Sequence, residues 1–175
     1  MKIRMSLLTV GAVIVLLAGC TSAPASDADA APSEETPAVT ATPTPTPKLL
    51  STEEAAAAYL TLICPSNAAG MPLSAAWAAE DPAALAAAAT AKQVVDREAA
   101  LALDDPMTIW PSDVSEDIGV VRDELLGALV TLDSLSRVTT MEDAYAVQGP
   151  PHSEASQRIR LRLGLPTNTS EGCPA

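Results

Sequence analysis

The sequence predicts an all-α fold, a small bundle of four or five helices over residues 49–175 that one disulfide holds and a disordered stalk precedes. Prolines and helix-capping residues divide this region into segments of helical length, and one segment carries a long apolar stripe at helical spacing. A chain of 175 residues suits one such domain. Alanine supplies much of the apolar content, so the core must be thin and close-packed.

The first predicted helix begins at a capping box, in which Ser51 is the N-cap and Glu54 lies three residues further on. We expect this helix to extend to Ile63 and to end at Pro65, because proline lacks the N–H that an interior helical position uses. A separate short helix over 72–80 is expected next, with proline at its first position.

A third helix is predicted from Pro82 to about Leu103, since strong helix formers dominate and no Gly or Pro interrupts it. Residues 107–111 are expected to be a connector. Ser112 or Asp113 then caps the longest predicted helix, which spans 112–138.

The helix over 112–138 has the clearest pattern in the chain, an apolar stripe at alternating spacings of four and three residues. The stripe comprises Val114, Ile118, Val121, Leu125, Ala128, Leu132 and Leu135, and Val120, Leu126, Leu129 and Val130 broaden it. A face this wide favours the central helix of an intramolecular bundle in a monomer over a coiled-coil dimer.

The last predicted element follows Ser153 and extends to Leu163. Residues 158–163 alternate basic and apolar side chains as a strand would, but no other segment offers a strand to pair with, so a helix is favoured. Gly164 ends it, and a polar tail covers 167–175.

The N-terminus has the pattern of an export signal. Lys2 and Arg4 precede an apolar run that is too short to span a bilayer. Leu17-Ala18-Gly19-Cys20 resembles the lipobox of bacterial lipoproteins. The resemblance implies that residues 1–19 are removed as a signal peptide, and that Cys20 becomes the lipidated N-terminus that attaches the protein to the outer face of the cytoplasmic membrane.

Residues 20–48 are predicted to be a disordered tether rich in Pro, Thr and Ala. The Thr-Pro repeat over 42–47 favours polyproline II, which makes the tether a semi-rigid spacer, and its threonines are candidates for O-glycosylation. Leader, stalk and domain together are similar to the small Ala-rich lipoproteins of actinobacteria, a resemblance that implies location and no chemistry.

With Cys20 lipidated, Cys64 and Cys173 remain as an even pair in an oxidising compartment, where a structural disulfide is expected. Haem ligation by a Cys-Pro pair and a free redox thiol are the weaker alternatives.

The composition argues against nucleic acid as a partner, because the net charge is −12 and aromatic residues make up only 2%. His152 is the only histidine and is expected to be a solvated loop residue. No glycine-rich phosphate loop, calcium loop or nucleophile elbow is present, so we expect no catalytic residues, no metal and no cofactor.

Five residues are candidate contacts for a ligand or partner. Trp77 and Trp110 could anchor a partner, although packing in the core explains them as well. Arg158, Arg160 and Arg162 form the one basic cluster and could hold a carboxylate or phosphate, although salt bridges to neighbouring acids explain them as well.

The sequence therefore predicts a non-enzymatic interaction module that binds a protein or another component of the cell envelope. The first alternative is a carrier with a lipid or small molecule between helices 82–103 and 112–138. The remote alternative is a hydrolase that uses scattered carboxylates.

Overall fold

The computed structural model describes residues 46–169 and 171–173. The predicted signal peptide, Cys20 and the tether up to residue 45 lie outside the described residues. The predicted all-α fold is confirmed, with five helices and one minimal strand pair within the described ranges. The elements in chain order are β1 (Lys48–Leu49), α1 (Thr52–Ala78), α2 (Pro82–Leu103), β2 (Thr108–Ile109), α3 (Ser115–Leu135), α4 (Met141–Ala146) and α5 (Ala155–Arg162).

The predicted capping box opens α1. The Glu54 backbone N–H donates to Ser51 Oγ at 3.2 Å, and the Ser51 N–H donates to Glu54 Oε2 at 2.9 Å. Lys48 Nζ also lies 2.6 Å from Glu54 Oε1, and its hydrogen bond is the main reason that the pKa of Glu54 falls to about 2. The N-terminus of α1 is therefore fixed by both backbone and charged contacts.

The prediction that this helix ends at Pro65 is wrong, because α1 continues through Pro65 and Pro72 to Ala78 and absorbs the separate helix expected over 72–80. Both prolines lie on the exposed side of α1. Thr61 and Ala68, whose carbonyls lose their helical donors to the two prolines, are also exposed, so water can satisfy these oxygens. A proline inside a helix is tolerated where it faces solvent and the opposite face is packed.

The prediction for α2 is confirmed at both ends, and Asp81 caps it by accepting hydrogen bonds from the Ala83 and Ala84 N–H groups at 3.0 Å each. The predicted caps of α3, Ser112 and Asp113, are wrong. Its N-cap is Val114, whose side chain is fully buried and makes no capping hydrogen bond.

In place of a capping side chain, the Pro111 carbonyl accepts from the N–H groups of Val114 and Ser115 at 3.0 Å each. The prediction that this helix is the longest is also wrong, because α3 has 21 residues and α1 has 27.

The expectation that the domain offers no strand is corrected by β1 and β2. Lys48 pairs with Thr108 and Leu49 with Ile109 in a parallel arrangement, so the predicted connector over 107–111 carries a strand. Two residues are too few to produce a period-two pattern in the sequence. The predicted helix at the end of the chain is confirmed as α5, and Gly164 at φ 68° ends it with a hydrogen bond from the Leu165 N–H to the Arg160 carbonyl at 2.8 Å.

The core consists of two clusters joined along α3. The first contains Tyr59 and Ile63 of α1, the first half of α3, and α5. The second contains the end of α1, the start of α2, the end of α3 and α4. The predicted stripe of α3 is buried at Val114, Ile118, Val121, Leu132 and Leu135 and partly buried at Leu125 and Ala128. Leu126 and Val130, expected to broaden this face, are instead 42% and 72% exposed.

The predicted disulfide is confirmed between Cys64 and Cys173, with Cα atoms 5.5 Å apart. Cys64 lies in the middle of α1, so the bond attaches the C-terminal tail to the side of the longest helix. Across the described ranges, none of the helices combines the length and the apolar content needed to cross a bilayer.

Candidate functional site

A cleft of about 210 Å³ lies where α1, α2 and α3 meet the loop before α5. Its polar lining comprises Ser66, Asn67, Lys92, Asp96, Glu124 and His152, together with Ser156. Its apolar lining comprises Ile63, Val121, Leu125 and Ala128. The cleft therefore has one charged region and one hydrocarbon surface, the combination by which small ligands are oriented in proteins.

Ser66, Lys92 and Asp96, which we call the buried polar cluster, form the base of this cleft. Lys92 and Asp96 lie one helical turn apart on α2, and Ser66 belongs to the adjacent α1. The Asp96 side chain is only 1% exposed and Lys92 is 19% exposed. Asp96 Oδ1 accepts from Ser66 Oγ at 2.6 Å and from Lys92 Nζ at 2.8 Å.

The Lys92 ammonium group uses all of its donors inside the buried polar cluster. Besides Asp96, it donates to Ser66 Oγ at 3.0 Å and to the Ser66 carbonyl at 3.2 Å. An ammonium group has three protons, so no donor remains for another partner.

The neighbouring serine and lysine invite comparison with a Ser–Lys nucleophile pair. In such a pair the amine must accept the hydroxyl proton. Here Lys92 donates to the Ser66 oxygen, while the Ser66 hydroxyl donates to Asp96. The arrangement is therefore an ion pair of Lys92 and Asp96 with the Ser66 hydroxyl hydrogen-bonded to both. This geometry suits binding better than nucleophilic attack.

Hydrogen bonds connect the cleft to the loop before α5 and to α5 itself. Glu124 Oε1 accepts from the Ser153 N–H at 2.5 Å, and Ser156 Oγ lies 2.8 Å from the Tyr59 hydroxyl. Burial is the main reason that the pKa of Tyr59 is raised, so this phenol stays neutral. His152 is exposed at this loop, as expected, and borders the cleft.

The cleft continues into a wider surface groove along the middle of α1. This groove has a volume of about 500 Å³ and shares Ser66, Asn67 and Lys92 with the cleft. Met71, which is 72% exposed, lies in the groove. The buried polar cluster is thus reached from an open face of the domain.

The two tryptophans named from the sequence lie away from the cleft. Trp110 is 8% exposed and belongs to the first core cluster, and its Nε1 has no hydrogen-bond partner among the described residues. Trp77 is half-buried against the second core cluster, with its ring centroid 5.5 Å from that of Tyr145. Neither borders the buried polar cluster.

Arg158 and Arg162 both pair with Asp117, a buried carboxylate near the start of α3. Arg158 Nε donates to the two carboxylate oxygens at 3.0 and 3.1 Å, and Arg162 Nη1 donates to Oδ2 at 2.9 Å. The hydrogen bond from Arg158 is the main reason that the pKa of Asp117 is lowered. The same bond raises the pKa of Arg158.

Arg160 points to the other side of α5 and is fully buried. Its guanidinium donates to three backbone carbonyls of the tail, those of Pro166 at 2.7 Å, Thr169 at 3.2 Å and Asn168 at 3.4 Å. The structure therefore divides the three arginines between an ion pair with α3 and a clamp on the tail that leads to Cys173, and none of them lines the cleft.

Sequence reasoning missed the buried polar cluster, although one signal was available. Leu85, Ala89, Asp96, Ala100 and Leu103 are all buried residues of α2, and their spacing places the aspartate on the apolar stripe of that helix. An acidic residue on a stripe of buried alanines and leucines requires a buried partner. Lys92 at the preceding turn was the candidate.

The described part of the chain brings together no group of three or more His, Cys, Asp or Glu side chains that could hold a metal ion. Comparison of the chain with protein-family models, with curated proteins and with solved structures finds no match in any of the three.

Proposed function

We propose that this protein is a lipid-anchored, extracytoplasmic module of the cell envelope that acts by binding a ligand in the cleft rather than by catalysis. The anchor and the spacer come from the leader, the lipobox and the Thr-Pro stalk of the sequence. The site of binding comes from the cleft between α1, α2 and α3.

The observation that carries the proposal is the buried polar cluster at the base of an open cleft. Removing a carboxylate and an ammonium from water costs free energy that a packed apolar pair of the same size would avoid. The hydrogen bonds of Ser66 offset part of this cost. Charged groups kept at such a position, beside a space that a small molecule can enter, are what a recognition site requires.

The donor directions support binding over hydrolysis. The Ser66 hydroxyl donates to Asp96, and the Lys92 nitrogen beside it donates to three oxygens. A nucleophile would need a free base within reach. The carrier alternative is favoured in modified form, because the lining has a charged region as well as an apolar one.

The experiment is native mass spectrometry of the full-length protein, expressed in a bacterial host that lipidates and kept under non-reducing conditions. We expect an adduct that is lost on denaturation. Ala128→Leu narrows the cleft and should remove the adduct. Ala87→Leu, at an exposed position of α2, is the matched control and should retain it.

Two results would contradict the proposal. An adduct that persists equally in Ala128→Leu places the ligand elsewhere on the domain. A protein that carries no adduct, and that cross-links to no envelope component through the cleft face, does not act by binding there.

The anchor has its own test in the mass of the mature N-terminus. We expect cleavage before Cys20, with a diacylglycerol mass on that residue and sedimentation with membranes. Cys20→Ala should leave the leader uncleaved and the protein unlipidated, and a cleaved N-terminus or an acyl mass that persists in this variant would refute lipid anchoring through this residue.

A further inference from the structure

The ligand class of the cleft follows from the hydrogen bonds that its charged groups already make, and this inference rests on the proposed function. Lys92 is the only residue of the cleft lining with a permanent positive charge. Its three protons are taken by Asp96 Oδ1 and by two oxygens of Ser66. The cation of the cleft is therefore already neutralised and offers no proton to a ligand.

The carboxylates of the cleft, in contrast to Lys92, still have oxygens that take part in no hydrogen bond with the described residues. Asp96 lines the cleft with its side chain 1% exposed, and all of its hydrogen bonds within the described residues go to Oδ1, which leaves Oδ2 without a donor. Glu124 accepts the Ser153 N–H at Oε1, and its Oε2 has no donor in the described part of the chain. Neither oxygen has a protein donor among the described residues, so each is open to a donor from water or from a ligand.

Charge points in the same direction as the hydrogen bonds. Lys92 balances Asp96, so the carboxylate of Glu124 leaves the lining of the cleft negative. The whole chain is acidic as well, with a net charge of −12, and its field attracts cations and repels anions.

The apolar side of the cleft and its size limit the rest of the ligand. Ile63, Val121, Leu125 and Ala128 provide a hydrocarbon surface in the same cleft, and Glu124 belongs to the same helix as the last three. The volume of about 210 Å³ lies below the range of roughly 300–1,000 Å³ that is usual for drug-sized ligands, so the cleft suits a short chain.

We propose that the cleft binds a primary ammonium group carried on a short aliphatic chain, with the ammonium between Asp96 and Glu124 and the chain on the apolar surface. A free alkylamine or diamine and the side chain of a lysine residue share this chemistry. The ammonium supplies the protons that the two unoccupied carboxylate oxygens lack, and a ligand carboxylate would be repelled by the same two groups.

The test uses the full-length protein and two probes of equal chain length, n-pentylammonium and valerate, in isothermal titration calorimetry at fixed ionic strength. We expect saturable binding of pentylammonium and none of valerate. Glu124→Gln should weaken pentylammonium binding by roughly tenfold or more, because it removes a charge-assisted hydrogen bond. The amide oxygen of glutamine can still accept the Ser153 N–H, so the loop contact is kept.

Glu98→Gln is the matched control, because it removes the same charge from an exposed position of α2 outside the cleft. It should leave the affinity for pentylammonium unchanged. An equal loss in both variants means that the bulk charge of the protein attracts the amine, and this overturns the inference. N-acetyl-lysine methylamide and cadaverine then distinguish a lysine side chain from a free diamine as the source.

The remaining outcomes separate the inference from the proposed function. If valerate binds and Ala128→Leu abolishes its binding, the cleft is a ligand site and the amine inference is wrong. If neither probe binds but the native adduct is lost in Ala128→Leu, the cleft is again a ligand site and the amine inference is again wrong. If neither probe binds and no adduct exists, the inference and the proposed function both fail.

Discussion

Replacing Cys64 and Cys173 together by alanine measures how much stability comes from closing the chain on itself. The disulfide joins residues 109 apart in sequence. Loop entropy for a closure of this length gives roughly 4.8 kcal/mol at 25 °C, and disulfides typically deliver about 2–4 kcal/mol. With an unfolding entropy near 2.1 cal/mol/K per residue, a domain of this size should lose roughly 8–18 °C in its melting temperature.

The assay is thermal unfolding of the full-length protein in detergent, followed by circular dichroism at 222 nm. Cys20→Ala is the control, since it removes the third sulfur and should leave the melting temperature of the domain unchanged. Unmodified protein melted with and without a reducing agent repeats the comparison without any change in side-chain volume.

The tail has other attachments, and they define the result that would refute this reasoning. Arg160 binds three tail carbonyls, and Asn67 Nδ2 donates to the Thr169 carbonyl at 3.2 Å. If the double alanine variant melts within about 2 °C of the unmodified protein, the disulfide does not restrict the unfolded chain measurably, and the loop-entropy argument is refuted. The contacts of Arg160 and Asn67 would then be what holds the tail in the folded protein.

Three further predictions concern single residues. Arg158 holds the pKa of Asp117 below its usual 3.8, so this carboxylate contributes stability above that pH, and the contribution is lost as the pH falls through the lower folded-state pKa. Asp117→Asn should therefore destabilise the domain to urea at pH 7 and converge on the unmodified protein in acid, whereas a gap that does not change with pH would contradict the argument. Gly164→Ala should cost about 1–2 kcal/mol because φ is 68°, while Gly119→Ala inside α3 should gain about 0.5–1 kcal/mol because nothing lies within 4 Å of the added methyl. Shifts of the same sign in both, measured by urea unfolding, would refute this reading. Arg160→Met should cost a few kcal/mol and speed hydrogen exchange in the tail, since three carbonyls lose a charged donor; protection that does not change would show that the tail is held without it.

The sequence predicted those parts of the fold that depend on local signals. The capping box at Ser51, the Asp81-Pro82 start of α2 and the stop at Gly164 act over three or four residues, so each could be located without tertiary information. The stripe of α3 was visible because its apolar residues keep helical spacing from Val114 to Leu135, although Leu125 and Ala128 in its middle are only partly buried.

The errors arose where exposure decides the outcome. Pro65 and Pro72 would break a helix packed on all sides, and α1 survives because both face solvent. The six-residue α4 was missed because its length is too short for a periodic pattern, although Thr140 Oγ1 accepts the Asp143 N–H at 3.1 Å as a capping residue does.

The candidate site was beyond sequence reasoning because its members come from different helices. Ser66 lies 30 residues before Asp96, and only the packing of α1 on α2 brings the hydroxyl to the carboxylate. The three arginines of α5 do not form one binding site, because they lie on different faces of the helix. Arg158 and Arg162 are one turn apart and share a face, whereas the intervening Arg160 turns about 200° away into the core.

The position of the disulfide in the middle of α1 also determines how the domain carries mechanical load. Tension on the chain at Lys48 first meets the backbone bonds of β1 to Met107 and Ile109, and then the first half of α1. From Cys64 to Cys173 the chain is closed into a covalent ring by the disulfide, and this ring cannot be extended by pulling at Lys48. Unwinding α1 from Thr52 to Cys64 adds about 25 Å of extension and removes Ala55, Tyr59 and Ile63 from the first core cluster. Ser66, Lys92, Asp96 and Glu124 all lie within the ring, but Ile63 of the apolar lining lies before it. Unwinding up to Cys64 therefore removes part of the apolar surface of the cleft, while the buried polar cluster stays in the covalently closed part of the chain.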